Sequence, residues 1–598
     1  MSESTEQRYT AARIIRALIR RFAPFMGWVG ELRDRSVLRA DIVAGISVAT
    51  VLIPQSMANA QLASLPPYYG LYAALLPPVV AGLFGSSRHL STGAVALVAL
   101  MSSAALHPLA SPDDEQFILL TIVLALMVGL LQLGCGLLKL GTLVNFLGYP
   151  VVLGFTNAGA IIIATSQINW VFGTPAPQEG AYYSRMLEML SAAISEPHWP
   201  TVAMAALGFG LMLALRRTRA PDVLLAAIFT GTIAWGVDYE SGYGGAVVGV
   251  VPSGLPGFQV PWVSTSTLGD LFSSAAAIAL IGFTGTISIG RAIGSQTRQR
   301  IDANQELIGQ GLSNLVGSFF QSMPVAGSFA RSAVNHRSGA VTAFSSVVAG
   351  LMVVAVLFWL TPFLYFLPLA TLAAIIMISV IGLVRFRPIV RAWRVEPHDG
   401  IIAVSTFVMT LAFAPNLDRG ILLGIGLSLV LYLYRTMRPR VAALSRHPDG
   451  TLRDAVTHGL MTCENISVIR FDGSLYFASA GYFEDKVLEK VSLYPELKYV
   501  VVDAEGINHI DATGEEMLLR VIQRLNDAGI EVLFANTKQQ IQNALERTGL
   551  VAEIGEERFE RTMDQALRTA WEALGNDHAS DCPLRKAKLK DAVPNYRV

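Results

Sequence analysis

Residues 323–336 read MPVAGSFARSAVNH, a Gly/Ser-containing break with one arginine, Arg331, between two long apolar segments. The first half of the chain holds a counterpart, FGSSRHLSTGAVALVALMSSAAL at 84–106. There too a Gly/Ser-rich lead-in opens an apolar segment too short to cross a bilayer comfortably. Paired short or interrupted segments at corresponding positions of two halves point to a transporter's substrate site. A half-helix that begins inside the membrane turns free N–H groups and the positive end of its dipole into a cavity. Such a cavity suits an anion.

The surrounding chain is built for lipid. Of 598 residues, 52% are hydrophobic and only 15% charged, and the mean hydropathy is +0.48, far from a soluble globular protein. Lys+Arg and Asp+Glu number 45 each, so net charge gives no reason to expect a nucleic-acid partner. Cys135, Cys463 and Cys582 lie far apart and fit neither a disulfide framework nor a zinc site. No metal or cofactor is expected. Residues 1–40 are polar and basic without the apolar core of a cleavable signal peptide, which makes the first span the insertion signal.

Apolar segments follow one another from about Asp41 to Leu433, at roughly 20 residues per span. They read as 41–60, 68–85, 92–106 (short), 116–139, 149–172, 199–215, 222–238, 269–291, 304–322, 328–336 (short), 340–361, 364–384, 398–414 and 419–436. Fourteen segments fit a seven-plus-seven inverted repeat. Arginines give the orientation. Arg13, Arg16, Arg20, Arg21, Arg33, Arg35 and Arg39 precede the first span, and Arg216, Arg217 and Arg219 follow the sixth. Arg291, Arg298 and Arg300 follow the eighth; Arg385, Arg387, Arg391 and Arg394 the twelfth; Arg435, Arg438 and Arg440 the last. All fall on one side if both termini are cytoplasmic.

After Arg440 the pattern becomes that of a soluble α/β domain. ISVIRFDGSLYFAS (466–479) reads as a strand pair turning at Gly473, and YFEDKVLEKVSLY (482–494) has helical periodicity. YVVVDAEG (499–506) reads as a buried strand, ATGEEMLLRVIQRLNDAG (512–529) as a helix and EVLFAN (531–536) as a third strand, with two more helices after it. The polar residues from about Ala579 are expected to be disordered.

Two stretches carry a family resemblance. DIVAGISVATVLIPQSMANAQLASLPPYYGLYAALLPP (41–78) and NQELIGQGLSNLVGSFFQSMPVAGSFARSAVN (304–335) resemble the first two spans and the second signature of the sulfate permease (SulP) family. The soluble part resembles that family's STAS domain, including its D-x-[ST]-G turn as Asp511-Ala512-Thr513-Gly514. The resemblance implies an α-helical multi-pass protein of fourteen segments in core and gate groups. Segments 1–4 and 8–11 would form the core and 5–7 and 12–14 the gate. It further implies a cytoplasmic segment 1–40, an anion-transport domain 41–437, a STAS domain 445–578 and a tail 579–598. A homodimer in the cell inner membrane is expected, moving an anion by an elevator-like motion. Sulfate comes first among the candidates, followed by bicarbonate and C4-dicarboxylates. An anion channel, or a sensor that binds without transport, is the alternative, and an enzyme is not expected.

Candidate site residues follow from the two breaks. Gly93, Ala94, Val95 and Ala96 begin the third segment, and Ser328, Phe329, Ala330 and Arg331 the tenth. Small residues let a polyatomic oxyanion approach the backbone. An arginine at the bilayer centre costs ~2.5–3.5 kcal/mol on insertion scales, so something should compensate it. Gln55, after the mid-span Pro54, either faces the substrate, as the family implies, or bonds a neighbouring helix. This chain departs from the family pattern at Asn59, Ala94 and Ala330, where Tyr, Pro and Ser are common, and at Gly285, where many members carry an acid. Without that acid, cation coupling is not expected; Thr284, Thr286 and Ser288 remain as polar lining or oxygen ligands. Asn304 with Glu306 reads as a helix cap, and Gln310 with Asn314 as a bond to another helix. In the soluble domain the residue after Asp511, a phosphoacceptor serine in the related anti-sigma-factor antagonists, is Ala512. Thr513 then reads as a cap, and the domain as a regulatory module with a cytoplasmic protein partner.

Overall fold

A helix occupies each of the fourteen apolar segments. The computed structural model describes residues 23–112, 114–142, 147–175, 182–218, 220–575 and 582–586. The expectations for residues 1–22 (with Arg13, Arg16, Arg20 and Arg21) and for Arg219 lie outside the described residues. The chain divides into two compact units, Met1–Ser428 and Leu429–Val598.

The first half runs α1 (Arg35–Leu62), α2 (Tyr68–Phe84), β1 (Thr92–Gly93), α3 (Ala96–Leu106), α4 (Glu115–Leu137), α5 (Tyr149–Ser166), α6 (Tyr182–Ser195), α7 (Trp199–Leu215) and α8 (Asp222–Gly236). The second runs α9 (Thr265–Thr297), α10 (Ala303–Phe319), β2 (Ala326–Gly327), α11 (Phe329–Arg337), α12 (Phe344–Ala355), α13 (Leu369–Ile381), α14 (Phe386–Val395), α15 (Pro397–Phe413) and α16 (Leu417–Met437). A π turn at Val356–Leu360 extends α12. Two of these helices, α6 and α14, were not expected. Both are amphipathic rather than uniformly apolar, so reading for continuous apolar runs passes over them. α6 meets α7 at a bend of 103°.

Packing sorts the helices into two groups. α1, α2, α4, α9, α10 and α12 pack on one another, while α5 packs on α15 and α7 on α8 and α13. α13, expected in the gate, also packs on α1 of the core. Several helices are closed by side-chain caps: Asp34 on α1, Asp114 on α4, Ser264 on α9 and Asp302 on α10. The cap of α10 is therefore Asp302 and not Asn304 with Glu306. Asn304 Oδ1 instead accepts from the Gly141 amide at 2.8 Å. Glu306 is buried, and its Oε2 accepts from the Ser86 amide and hydroxyl at 2.9 Å each and from the Ser87 amide at 3.1 Å. It ties the turn after α2 to α10, so backbone donors that would otherwise be buried unpaired are satisfied.

The C-terminal unit is a six-stranded sheet in the order β4-β3-β5-β6-β7-β8. Its strands are β3 (Arg440–Arg446), β4 (Leu452–Asp454), β5 (Ile466–Asp472), β6 (Tyr499–Asp503), β7 (Glu531–Ala535) and β8 (Phe559–Glu560). β3 pairs antiparallel with β4 and β5, and β5 to β8 are parallel. Alternation divides the strands between two cores. Ile469, Phe471, Val500, Val502, Val532 and Phe534 face α17 (Ala480–Leu493), α18 (Ala512–Asp527) and α19 (Gln539–Thr548). Ile466, Val468, Val501, Leu533 and Ala535 face α20 (Met563–Leu574). The hairpin partner of β5 is thus the preceding β3, not a strand after Gly473. Residues past Gly473 serve the loop before α18: Leu475 donates its amide to the His509 carbonyl at 2.9 Å, and its carbonyl accepts from Asp511 at 3.1 Å. The expectation of a disordered tail is corrected at Cys582 and Leu584, which are buried against the second core; the rest of 579–598 lies outside the described residues save Pro583, Arg585 and Lys586.

Candidate functional site

β1 and β2 cross as an antiparallel pair, Thr92 opposite Gly327 and Gly93 opposite Ala326. Each strand leads directly into a half-helix, α3 or α11. Unlike the capped helices above, neither has a side-chain cap: Val95 precedes α3, and Ser328 precedes α11 without using its hydroxyl. Two sets of first-turn amides are therefore left without side-chain partners. Within the sequence-predicted set, Gly93 and Ala94 sit in the extended lead-in, Val95 and Ser328 at the N-cap positions, and Ala96, Phe329, Ala330 and Arg331 in the first turns. Phe329 and Ala330 are exposed, so the start of α11 opens on space.

Arg331 is fully buried. Its Nη1 donates to Gln55 Oε1 at 2.9 Å and to the Ala94 carbonyl at 3.0 Å. Its Nε and Nη2 are buried without a hydrogen-bond partner. A guanidinium carries five donors in a fixed fork, so a large part of this one is unspent. Gly93 makes room for it: φ is +154°, and an added Cβ would lie 3.1 Å from Arg331 Nη2 and 3.2 Å from Leu52 Cδ1. Gln55 thus joins the arginine rather than only bracing a kink, and its Nε2 reaches Ser379 Oγ of α13 at 3.5 Å.

Neighbouring helices hold the crossing in place. Asn59 Nδ2 donates to the Ala94 carbonyl at 2.9 Å, and Gln310 Nε2 to Thr92 Oγ1 at 2.8 Å. Asn314 accepts from the Val325 amide at 2.8 Å and donates to the Val325 carbonyl and to Gln132 at 3.1 Å each. Thr286 Oγ1 accepts from the Gly327 amide at 2.9 Å. Asn59 was passed over as a departure from the family pattern; a buried amide in an apolar span was the signal available. Thr284, Thr286 and Ser288 lie on α9. Each hydroxyl donates to the carbonyl one turn earlier on α9, which is how an unengaged Ser or Thr satisfies itself in a helix. Of the three expected as polar lining or oxygen ligands, Thr286 also makes a positioning contact, on Gly327.

In the C-terminal unit Asp511, not Thr513, caps α18, accepting from the amides of Gly514 at 2.8 Å and Phe477 at 3.0 Å. Thr513 is exposed. Gly514 is required by close approach, since a Cβ there would lie 2.4 Å from the Leu475 carbonyl oxygen. Slight burial opposes ionisation of Asp511, but the Gly514, Phe477 and Thr513 amides outweigh it and hold the carboxyl below its usual range. The cap's contribution is therefore complete above the unfolded carboxyl value near ~3.9 and is lost as pH falls through the lower folded value. Asp511→Ala is expected to cost about 1 kcal/mol, read as faster amide exchange in the first turn of α18 of the intact protein. Unchanged exchange would show that the cap is redundant.

Comparison with known proteins places both units. Residues 38–406 match the profile of the sulfate permease family and 461–566 that of the STAS domain. "Sulfate transporter 4.1, chloroplastic" of Arabidopsis thaliana is 32% identical, over 93% of this chain and 84% of its own. "Probable sulfate transporter Rv1739c" of Mycobacterium tuberculosis is 31% identical, over 91% and 98%. The murine Solute Carrier 26 family member A9 anion transporter in the inward-facing state shares the fold, with a TM-score of 0.85 at 20% identity over 93% of this chain and 94% of that one. The transmembrane domain of the cyanobacterial bicarbonate transporter BicA superposes with a TM-score of 0.57 at 23% identity, over 66% and 97%.

Proposed function

The chain belongs to the sulfate permease family, and on that premise we propose that it carries sulfate across the membrane, with the anion held where α3 and α11 begin. The observation that carries the reading is the pair of buried, unpartnered donors on Arg331, Nε and Nη2. They lie beside two helix N-termini without side-chain caps. Two oxygens of one oxyanion satisfy such a fork in the side-on arrangement that makes guanidinium–oxyanion pairs strong, and the open amides of α3 and α11 offer further donors. Gln55 fixes the guanidinium from the other edge. Sulfate is preferred over other oxyanions because the curated relatives are named for it.

The motion expected is an elevator, with the group of α1–α4 and α9–α12 moving against the group of α5, α7, α8, α13, α15 and α16. The Gln55–Ser379 contact joins α1 to α13 and would break as the groups slide. Both termini are placed in the cytoplasm, the protein in the cell inner membrane as a homodimer, and the STAS domain as the seat of a cytoplasmic protein partner. Gly285 leaves the position where many family members carry an acid without a carboxylate, so transport is read as exchange or uniport without a coupled cation.

Uptake of labelled sulfate into proteoliposomes tests this, challenged in turn by bicarbonate, succinate and chloride, with and without pH and sodium gradients. Saturable sulfate uptake indifferent to both gradients is expected. No sulfate uptake but a response to bicarbonate or succinate would replace the substrate; large unsaturable conductance would replace the carrier by a channel, and saturable binding without flux by a sensor.

A further inference from the structure

α14 (Phe386–Val395) presents three different faces. Ile389 packs with Leu153 and Ala403. Phe386, Val390 and Trp393 form an apolar stripe that is 51%, 51% and 48% exposed. Arg387, Arg391 and Arg394 form a second stripe, one position on from each and exposed. At 100° per residue these three arginines fall within an arc of roughly 60°. None has an ion pair or a side-chain hydrogen bond among the described residues, whereas the half-buried Arg88 pairs with Glu31 at 2.8 Å.

Helix length sets the level of the stripe. α13 has 13 residues, about 20 Å of helix at ~1.5 Å per residue, against a hydrocarbon core of about 30 Å. α13 and α14 together satisfy the length and apolarity of one span, Leu369–Val395. If α13 starts at the opposite face of the hydrocarbon, it ends past the midplane, and the arginines of the second helix then reach the headgroup layer. An exposed aromatic at each end and arginine alongside is the composition of an interfacial segment.

We propose that Arg387, Arg391 and Arg394 form a binding site for the phosphate of anionic phospholipids in the cytoplasmic leaflet; the choice of leaflet rests on the orientation proposed above. Guanidinium groups bind phosphate through paired N–H donors, and the apolar stripe gives the acyl chains a surface to follow. A leaflet with anionic lipid attracts such residues, and the absence of any acid partner leaves their charge for it.

The test is titration of the full-length protein in detergent with short-chain phosphatidylglycerol or phosphatidylcholine, read by native mass spectrometry. The wild type is expected to bind phosphatidylglycerol roughly tenfold more tightly than phosphatidylcholine. The combined R387Q, R391Q and R394Q variant should bind the two lipids alike and keep its melting temperature in lipid-free detergent, because these side chains engage no other part of the protein. Inorganic phosphate at the same concentration should not displace the lipid. Equal preference in wild type and variant overturns the proposal, as does displacement by phosphate, which would make the stripe a site for free anions. The assay reads no flux, so failure of the sulfate reading leaves it intact, and labelling of a C-terminal tag from either side of sealed vesicles checks the leaflet separately.

Discussion

Arg331→Ala is expected to leave a protein that inserts and folds but takes up sulfate about 100-fold more slowly below saturation. Nε and Nη2 of Arg331 have no protein partner, so truncation breaks only the two bonds made by Nη1. The contacts it breaks are tolerable, since the Ala94 carbonyl keeps its bond from Asn59 and Gln55 is half-buried, within reach of water. With sulfate bound, the loss is larger. Each charge-assisted hydrogen bond is worth about 1.5–3 kcal/mol, so losing the fork forfeits at least about 2.7 kcal/mol, the equivalent of ~100-fold in affinity. The rise in melting temperature on adding sulfate should vanish with it. Arg331→Lys should fall between, keeping the charge but losing the planar fork. Saturable uptake at the wild-type level in Arg331→Ala would take this residue out of the site.

The half-helices and their arginine were legible because a break in an apolar run is a local signal. Gly/Ser-rich lead-ins before short segments mark where backbone must leave the helix inside lipid, and such backbone is tolerated only beside protein or a cavity. Features that depend on distant pairing were not legible. The spacing of Asn59 on α1 says nothing of the Ala94 carbonyl it serves. Glu306 looked like first-turn capping chemistry because its partners, the Ser86 and Ser87 amides, lie more than 200 residues away in sequence. That Thr286 among the three hydroxyls of that stretch, Thr284, Thr286 and Ser288, would accept from the Gly327 amide could not be read either, since its partner lies 41 residues away in sequence. The hairpin of β3 and β4 was missed because β4 is only three residues long, below what alternation can register.

Gly285→Glu is expected to convert a carrier indifferent to proton gradients into one driven by them. The position can accept the change: a Cβ at Gly285 meets no atom within 4 Å. It lies on α9 directly before Thr286, which holds the Gly327 amide immediately before the N-cap of α11. An ionised carboxylate in a desolvated site costs far more than a neutral one, and it would repel a sulfate nearby. The bound anion should therefore enter with the new carboxyl protonated, which couples one proton to each turnover. A proton gradient of one pH unit is worth 1.36 kcal/mol, so the sulfate accumulation ratio should rise about tenfold for each unit of inward gradient. Without a gradient the uptake rate of Gly285→Glu should fall as pH rises, because the ionised form opposes substrate. Gly285→Gln has the same bulk without titrating and should remain indifferent to both. Accumulation that ignores the gradient in Gly285→Glu would mean that proton coupling in this fold is not set by a carboxyl at this position of α9, and the absence of one here would then carry no information about which ions the wild type moves.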